Sequence, residues 1–218
     1  MENIILGEPV LGNLVIDTFK AGGPIMWPML AVAVVAVAVV LERLVWWQIQ
    51  AARRNVPLRA HVLTAVDQGD SEKATDLAAN SKDPVLRMIW HGLTHHNFSL
   101  QGAMQVQAGE ELERAARFLP VLDTIITLAP LLGLLGTVTG IMAAFRVVGE
   151  TTELAVKAVS GGIGEALIAT ACGLAIAIFA LLPFNYFQRR VARLRFELET
   201  NATNLELMLE RSKGAKQS

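Results

Sequence analysis

The sequence predicts an all-α membrane protein with three transmembrane helices, two of them extended into a cytoplasmic helical bundle, and with small-residue stripes that can seat helices of this chain or of identical chains. Three observations predict it. Of 218 residues, 53% are apolar and only 18% charged, with a mean hydropathy of +0.43, too oily for an ordinary soluble domain. Three runs, Ala21 to Leu41, Thr124 to Phe145 and Ala166 to Gln188, hold no charge, and each reaches the roughly 20 residues a helix needs to cross the hydrocarbon layer. Two of these runs carry stripes of small residues, which point to helices that associate inside lipid.

Taken in order, residues 1–20 form an outer segment and residues 21–47 the first span. That span reads as a retained anchor: its apolar part is longer than a signal-peptide core, its leader is acidic, and no small-residue cleavage pattern precedes Glu42. Trp27 at one end and Trp46 and Trp47 at the other belong at the two headgroup layers. Residues 48–117 are a cytoplasmic helical domain of two or three short helices, started by Asp70-Ser71 after Gly69, by Asp83-Pro84 and by Ser99. No strong breaker follows Leu100 until Pro120, so one rod is expected from Leu100 to Arg146, on the order of 70 Å long. Residues 118–146, in its second half, are the second span, 147–160 an outer loop and 161–188 the third span. The third helix continues into residues 189–218, whose Val191, Leu194, Leu198, Leu205 and Leu209 recur at helical spacing and are expected against the first rod, ahead of a frayed SKGAKQS tail.

Arginines set the orientation. Arg43, Arg53 and Arg54 follow the first span, Arg114 and Arg117 precede the second, and Arg189, Arg190, Arg193 and Arg195 follow the third. The leader and second loop carry Glu2, Glu8, Asp17, Glu150 and Glu153 instead, which places the N-terminus outside and the C-terminus in the cytoplasm.

Other functional classes find little support. A net charge of -1 and a pI near 6.4 give no general attraction to nucleic acid, and none is expected as a partner. Cys172 is the single cysteine, so neither an intrachain disulfide nor a cysteine zinc site is available. His91 and His95 stand one helical turn apart without a third ligand and read as a solvated face. GGIGEA lacks the following lysine and the preceding strand of a phosphate loop. No enzyme motif, metal site or cofactor is therefore expected.

The glycines of the second span answer to packing. Gly136, Gly140 and Ala144 recur every four residues, and Ala169, Gly173 and Ala177 do so in the third span. Helices attract weakly in lipid, and such stripes let backbones approach closely. Thr124, Thr127 and Thr139 default to bonding their own helix. Thr137 and Thr170 differ, because in antiparallel helices both lie roughly 13 to 16 Å from the outer ends and can line one polar passage. Glu165, at the mouth of the third span, reads equally as an ion-handling carboxyl and as a first-turn anion favoured by the helix dipole. Between Asp123 and Glu165 the spans hold only hydroxyls, so an ion path here needs a carboxylate from another chain.

LAPLLGLLGTVTGIMAAF in the second span and GGIGEALIATACGL in the third resemble the paired signatures of the MotA/TolQ/ExbB proton channel family, patterns of the form GLxGTVxGIMxxF and GIxEALxATAxGL. With LERL at the end of the first span, the layout is similar to the three-span ExbB/TolQ branch over essentially the whole chain, the cytoplasmic segment matching in design more than in residues. Ala143-Ala144, Arg146, Phe179 and the position of Pro183 depart from the pattern. The resemblance implies a bacterial inner-membrane motor subunit, pentameric around a single-span ExbD- or TolR-like partner whose transmembrane aspartate is the missing acid. It implies that Thr137 and Thr170 are pore hydroxyls, that Glu165 is the family's span-three glutamate, and that the work is delivered to a TonB- or TolA-like protein across the periplasm. One charge crossing 100 mV supplies about 2.3 kcal/mol for this. The alternatives are a passive membrane scaffold and a flagellar-type stator, the latter lacking a fourth apolar run here.

Overall fold

The computed structural model describes residues 10–146 and 152–217. Eight helices follow one another there: α1 (Val10–Ala21), α2 (Met26–Ala52), α3 (Val56–Asp67), α4 (Ser71–Ala78), α5 (Pro84–Thr94), α6 (His96–Ala116), α7 (Leu119–Arg146) and α8 (Thr152–Gln217). No strand occurs among the described residues. Three stretches are long and apolar enough to cross a membrane, Met26–Ala52, Ser99–Arg146, which runs over the junction of α6 and α7, and Val159–Ser212. The chain divides into two compact units, Met1–Val40 with Val121–Phe184 and Leu41–Pro120 with Asn185–Ser218.

The first unit contains α1, the start of α2, nearly all of α7 and the first part of α8. The outer segment was expected without any element of its own, and its described part is largely the helix α1. The first span starts later than the uncharged run. Gly22 N donates to Thr18 O (3.0 Å) to close α1, Gly23 turns the chain at φ 71°, a value that favours glycine, and Met26 N donates to Gly23 O (3.1 Å) to open α2. Pro130 and Pro183 sit inside α7 and α8 without ending them. Inside a membrane, neighbouring groups can re-satisfy the carbonyl that each proline leaves without its N–H. The apolar surface of this unit is turned outward, with Val34, Leu131, Leu134, Leu167 and Ile178 all exposed. The expected outer loop 147–160 is shorter: residues 147–151 lie outside the described residues, and α8 has already begun at Thr152. Its other end differs too, for the tail expected to fray is helical to Gln217.

The second unit is built on local caps. Asn55 accepts from Leu58 N (3.1 Å) at the start of α3, Asp70 from Lys73 N (3.0 Å) at α4, and Asp83 from Val85 N (2.9 Å) at α5, where Pro84 takes the first helical position. Ser99 leaves helical geometry (φ -165°, ψ 101°) and accepts from Gly102 N (3.0 Å), so it caps the main part of α6 across a kink. Val62, Val66, Val85, Leu86, Met88, Ile89 and Met104 are fully buried. Leu194, Leu198 and Leu205 of α8 are buried as well, and Leu198 faces Met104 across a cavity of about 430 Å³.

The single rod expected from Leu100 to Arg146 does not exist. Arg117 (ψ 135°) and Phe118 (φ 64°) break it, and α7 starts afresh at Leu119. The physical reason is Pro120, which has no N–H to offer the Ala116 carbonyl and is tolerated only in a first helical turn. Arg43 of the LERL segment, 1% exposed, fills the gap by donating to Arg114 O (3.0 Å) and Ala115 O (3.5 Å). Its guanidinium also pairs with Glu42 and lies 5.1 Å from the Trp46 ring and 5.6 Å from that of Phe118. Trp47 is buried, with the Arg190 guanidinium 5.8 Å from its ring.

Candidate functional site

In the first unit α7 and α8 run antiparallel along a seam of small residues. A Cβ added at Gly140 would stand 3.1 Å from Ala166 Cβ and from Gly162 O, one at Gly136 would stand 2.6 Å from Ala169 Cβ, and one at Gly173 would stand 2.5 Å from Ala129 O. Gly162 faces Ala144 in the same way, at 2.7 Å. Glycine is thus required along the seam by proximity, since any side chain there would push one backbone off the other. Ala177 is buried as well.

The hydroxyls fall into two sets. Thr170, half-buried, donates across the seam to Gly133 O (3.0 Å). By helical spacing that carbonyl also receives the Thr137 N–H, and the Thr137 hydroxyl donates to Leu134 O (2.6 Å). Thr137 and Thr170 are therefore brought to one turn of α7, each engaged with its backbone. Thr127 donates to Thr124 O (2.9 Å), and Thr139 to Leu135 O (3.0 Å) and Gly136 O (3.2 Å).

Glu165 lies apart from that turn. It is well inside α8, which removes the reading of a first-turn cap. Its carboxylate occupies the space beside Gly23 that a Cβ there would need, and no hydrogen bond or ion pair engages it among the described residues. It lines a cavity of about 300 Å³ together with Pro24, Ile25, Pro28, Gly136, Thr139, Gly140 and Ala143.

Sequence reasoning overlooked three of these features. The Gly133 carbonyl is a main-chain group with no signature of its own. Gly162 continues the small-residue spacing of α8 through Ala166 and Ala169, a signal that was present. Thr139 was assigned only a local bond, although it stands on the face of Gly136 and Ala143.

Elsewhere, the His91 and His95 rings stack at 4.8 Å and 13°, a face-to-face arrangement that does not converge on a metal. Among the described residues no group of three His, Cys, Asp or Glu side chains is placed to hold one. Cys172 is a free, half-buried thiol.

Apolar helices of spanning length, joined by a glycine seam that carries hydroxyls, define a multi-span helical membrane protein. Residues 80–200 match the model of the MotA/TolQ/ExbB proton channel family. The ExbB-like protein 3 of Synechocystis sp. is 34% identical over 200 residues, 88% of this chain and 93% of the relative. The Tol-Pal system protein TolQ of Pseudomonas aeruginosa is 39% identical over 109 residues, covering 50% of this chain and 47% of that protein. The biopolymer transport protein ExbB of Neisseria gonorrhoeae is 42% identical over 88 residues, 40% of each chain. The chain belongs to the MotA/TolQ/ExbB proton channel family.

Proposed function

We propose that this chain is the proton-conducting stator subunit of an inner-membrane motor. Five copies surround the helices of a single-span ExbD- or TolR-like partner, whose transmembrane aspartate is protonated and released in turn, and the resulting motion drives a TonB- or TolA-like protein. Residues 1–20 and 147–160 face the periplasm, and residues 48–117 and 189–218 the cytoplasm, in keeping with the arginine clusters that flank each span. The observation that carries the reading is that Thr170 bonds Gly133 O one turn before Thr137 on α7, in helices whose apolar spans, Thr124 to Phe145 and Ala166 to Phe187, hold no acidic side chain. Hydroxyls can solvate an ion at that depth but cannot take up its proton, so the acid comes from outside the chain.

A passive scaffold is the second reading, favoured by the fact that both hydroxyls already bond carbonyls. Thr170→Val separates the two. The motor reading expects the complex with the partner to form while gradient-driven proton uptake by liposomes falls about tenfold, the kinetic equivalent of one lost hydrogen bond. Assembly with undiminished uptake leaves Thr170 a packing residue and favours the scaffold.

A further inference from the structure

We propose that Arg190, Tyr186 and Trp47 form a seat for the phosphate of an anionic phospholipid, at the membrane boundary on the side of residues 48–117. The inference goes beyond conduction and needs only that the chain spans a bilayer.

The guanidinium is placed before any ligand arrives. Arg190 Nε and Nη2 both donate to the Tyr186 hydroxyl oxygen, one turn earlier on α8, at 3.1 and 2.7 Å. Its Cζ lies 5.3 Å from the centre of the Tyr186 ring and 5.8 Å from that of Trp47 on α2, close enough for the ring faces to attract the cation. Two aromatic rings and a fork of hydrogen bonds thus hold a side chain that ordinarily samples many rotamers, so less freedom is left to lose on binding.

The donors exceed the acceptors. Of the guanidinium's N–H groups, those on Nη1 bond nothing among the described residues. The Tyr186 oxygen accepts from Arg190, which leaves its own proton for another acceptor. Trp47 Nε1 is buried and has no hydrogen-bond partner among the described residues. No carboxylate there pairs with Arg190, nor with Arg189 or Arg193 beside it, although Arg43, Arg54, Arg59, Arg87 and Arg114 of the same unit all have one. Neighbouring cations without a protein anion favour one from elsewhere.

Depth identifies the source. Tyr186 is exposed at the end of an uncharged run, and Leu44, Val45 and Ile49, on either side of Trp47 along α2, are exposed apolar side chains. Such surface belongs against acyl chains, and Trp and Tyr rings gather where hydrocarbon gives way to headgroups. The oxyanion that meets a guanidinium at that level is a lipid phosphate, which takes an arginine fork through two oxygens, and basic side chains beside a span favour anionic lipid. An occupied seat bridges α2 and α8 where both leave the membrane.

The test is native mass spectrometry of the full chain in detergent with equal amounts of phosphatidylglycerol and phosphatidylcholine. The wild-type chain should retain phosphatidylglycerol about fivefold over phosphatidylcholine, and Arg190→Gln should bring that ratio to about one. Tyr186→Phe keeps the ring but releases the guanidinium; it should lower the ratio about twofold and decides the matter if the glutamine variant does not fold. Arg195 lines the cavity between α6 and α8 instead, so Arg195→Gln should leave the ratio unchanged. Millimolar inorganic phosphate should not displace the lipid. An unchanged ratio in Arg190→Gln and Tyr186→Phe overturns the seat, and an equal fall in Arg195→Gln overturns it in favour of a general positive field. Displacement by inorganic phosphate overturns the lipid in favour of a free anion.

Discussion

Asp83 is completely buried and serves as cap and junction at once. It accepts from Val85 N at the start of α5, and also from Asn55 N and Arg59 Nε, both at 2.8 Å, at the start of α3. Asp83→Ala would leave the Arg59 guanidinium without that partner and is expected to cost about 3–5 kcal/mol, measured by denaturant unfolding of the purified chain. Arg43→Ala strips two end carbonyls of α6 of their donor and is expected to cost about 2 kcal/mol in the same assay, with Arg43→Lys recovering part of it. The cap half of Asp83 was legible because Asp-Pro before an apolar run is a local signal. Its other partners, like the carbonyls that Arg43 reaches, are distant in sequence and left no pattern to read. The local bond expected of Thr139 exists; that it also lines a cavity left no pattern to read, because a cavity is a property of three helices together.

Among the elements, the seam of α7 and α8 makes the sharpest distinction between glycines. Gly173→Ala drives a Cβ to 2.5 Å from the Ala129 carbonyl oxygen, which is main chain and cannot step aside. It is expected to destabilise by about 1–3 kcal/mol. Gly161 and Gly164, in the same helix, would set a Cβ into open space. Gly161→Ala and Gly164→Ala are expected to be neutral or to stabilise by up to about 1 kcal/mol, so thermal unfolding of the four proteins side by side checks the seam. The helices themselves were legible where caps were strong, as in α4 and α5, whose starts carry Asp70 and Asp83-Pro84, whereas α3 and its Asn55 cap were not read. The break at Phe118 was not, because helix propensity on both sides is high and only Pro120 argues against continuity. α1 was missed since its apolar residues lie in a short leader with no strong cap.

At the scale of the whole molecule, composition and three uncharged runs were enough to give an all-helical membrane protein, because hydrocarbon admits few alternatives to a helix with every backbone group paired. The site was legible in part. Thr170 bonds Gly133 O, one turn before Thr137 on α7, whereas Glu165 stands with Thr139 and the α1–α2 turn in a place the spacing did not indicate. What the second and third spans lack is an acid within their apolar stretches, Thr124 to Phe145 and Ala166 to Phe187, and the proposed function depends on a partner providing it. The most direct test is proton uptake into liposomes that carry the full chain alone, the chain with its single-span partner, and the chain with a partner whose transmembrane aspartate has been changed to asparagine. The account predicts uptake only with the unaltered partner; equal uptake by the chain alone, or with the asparagine partner, would contradict it.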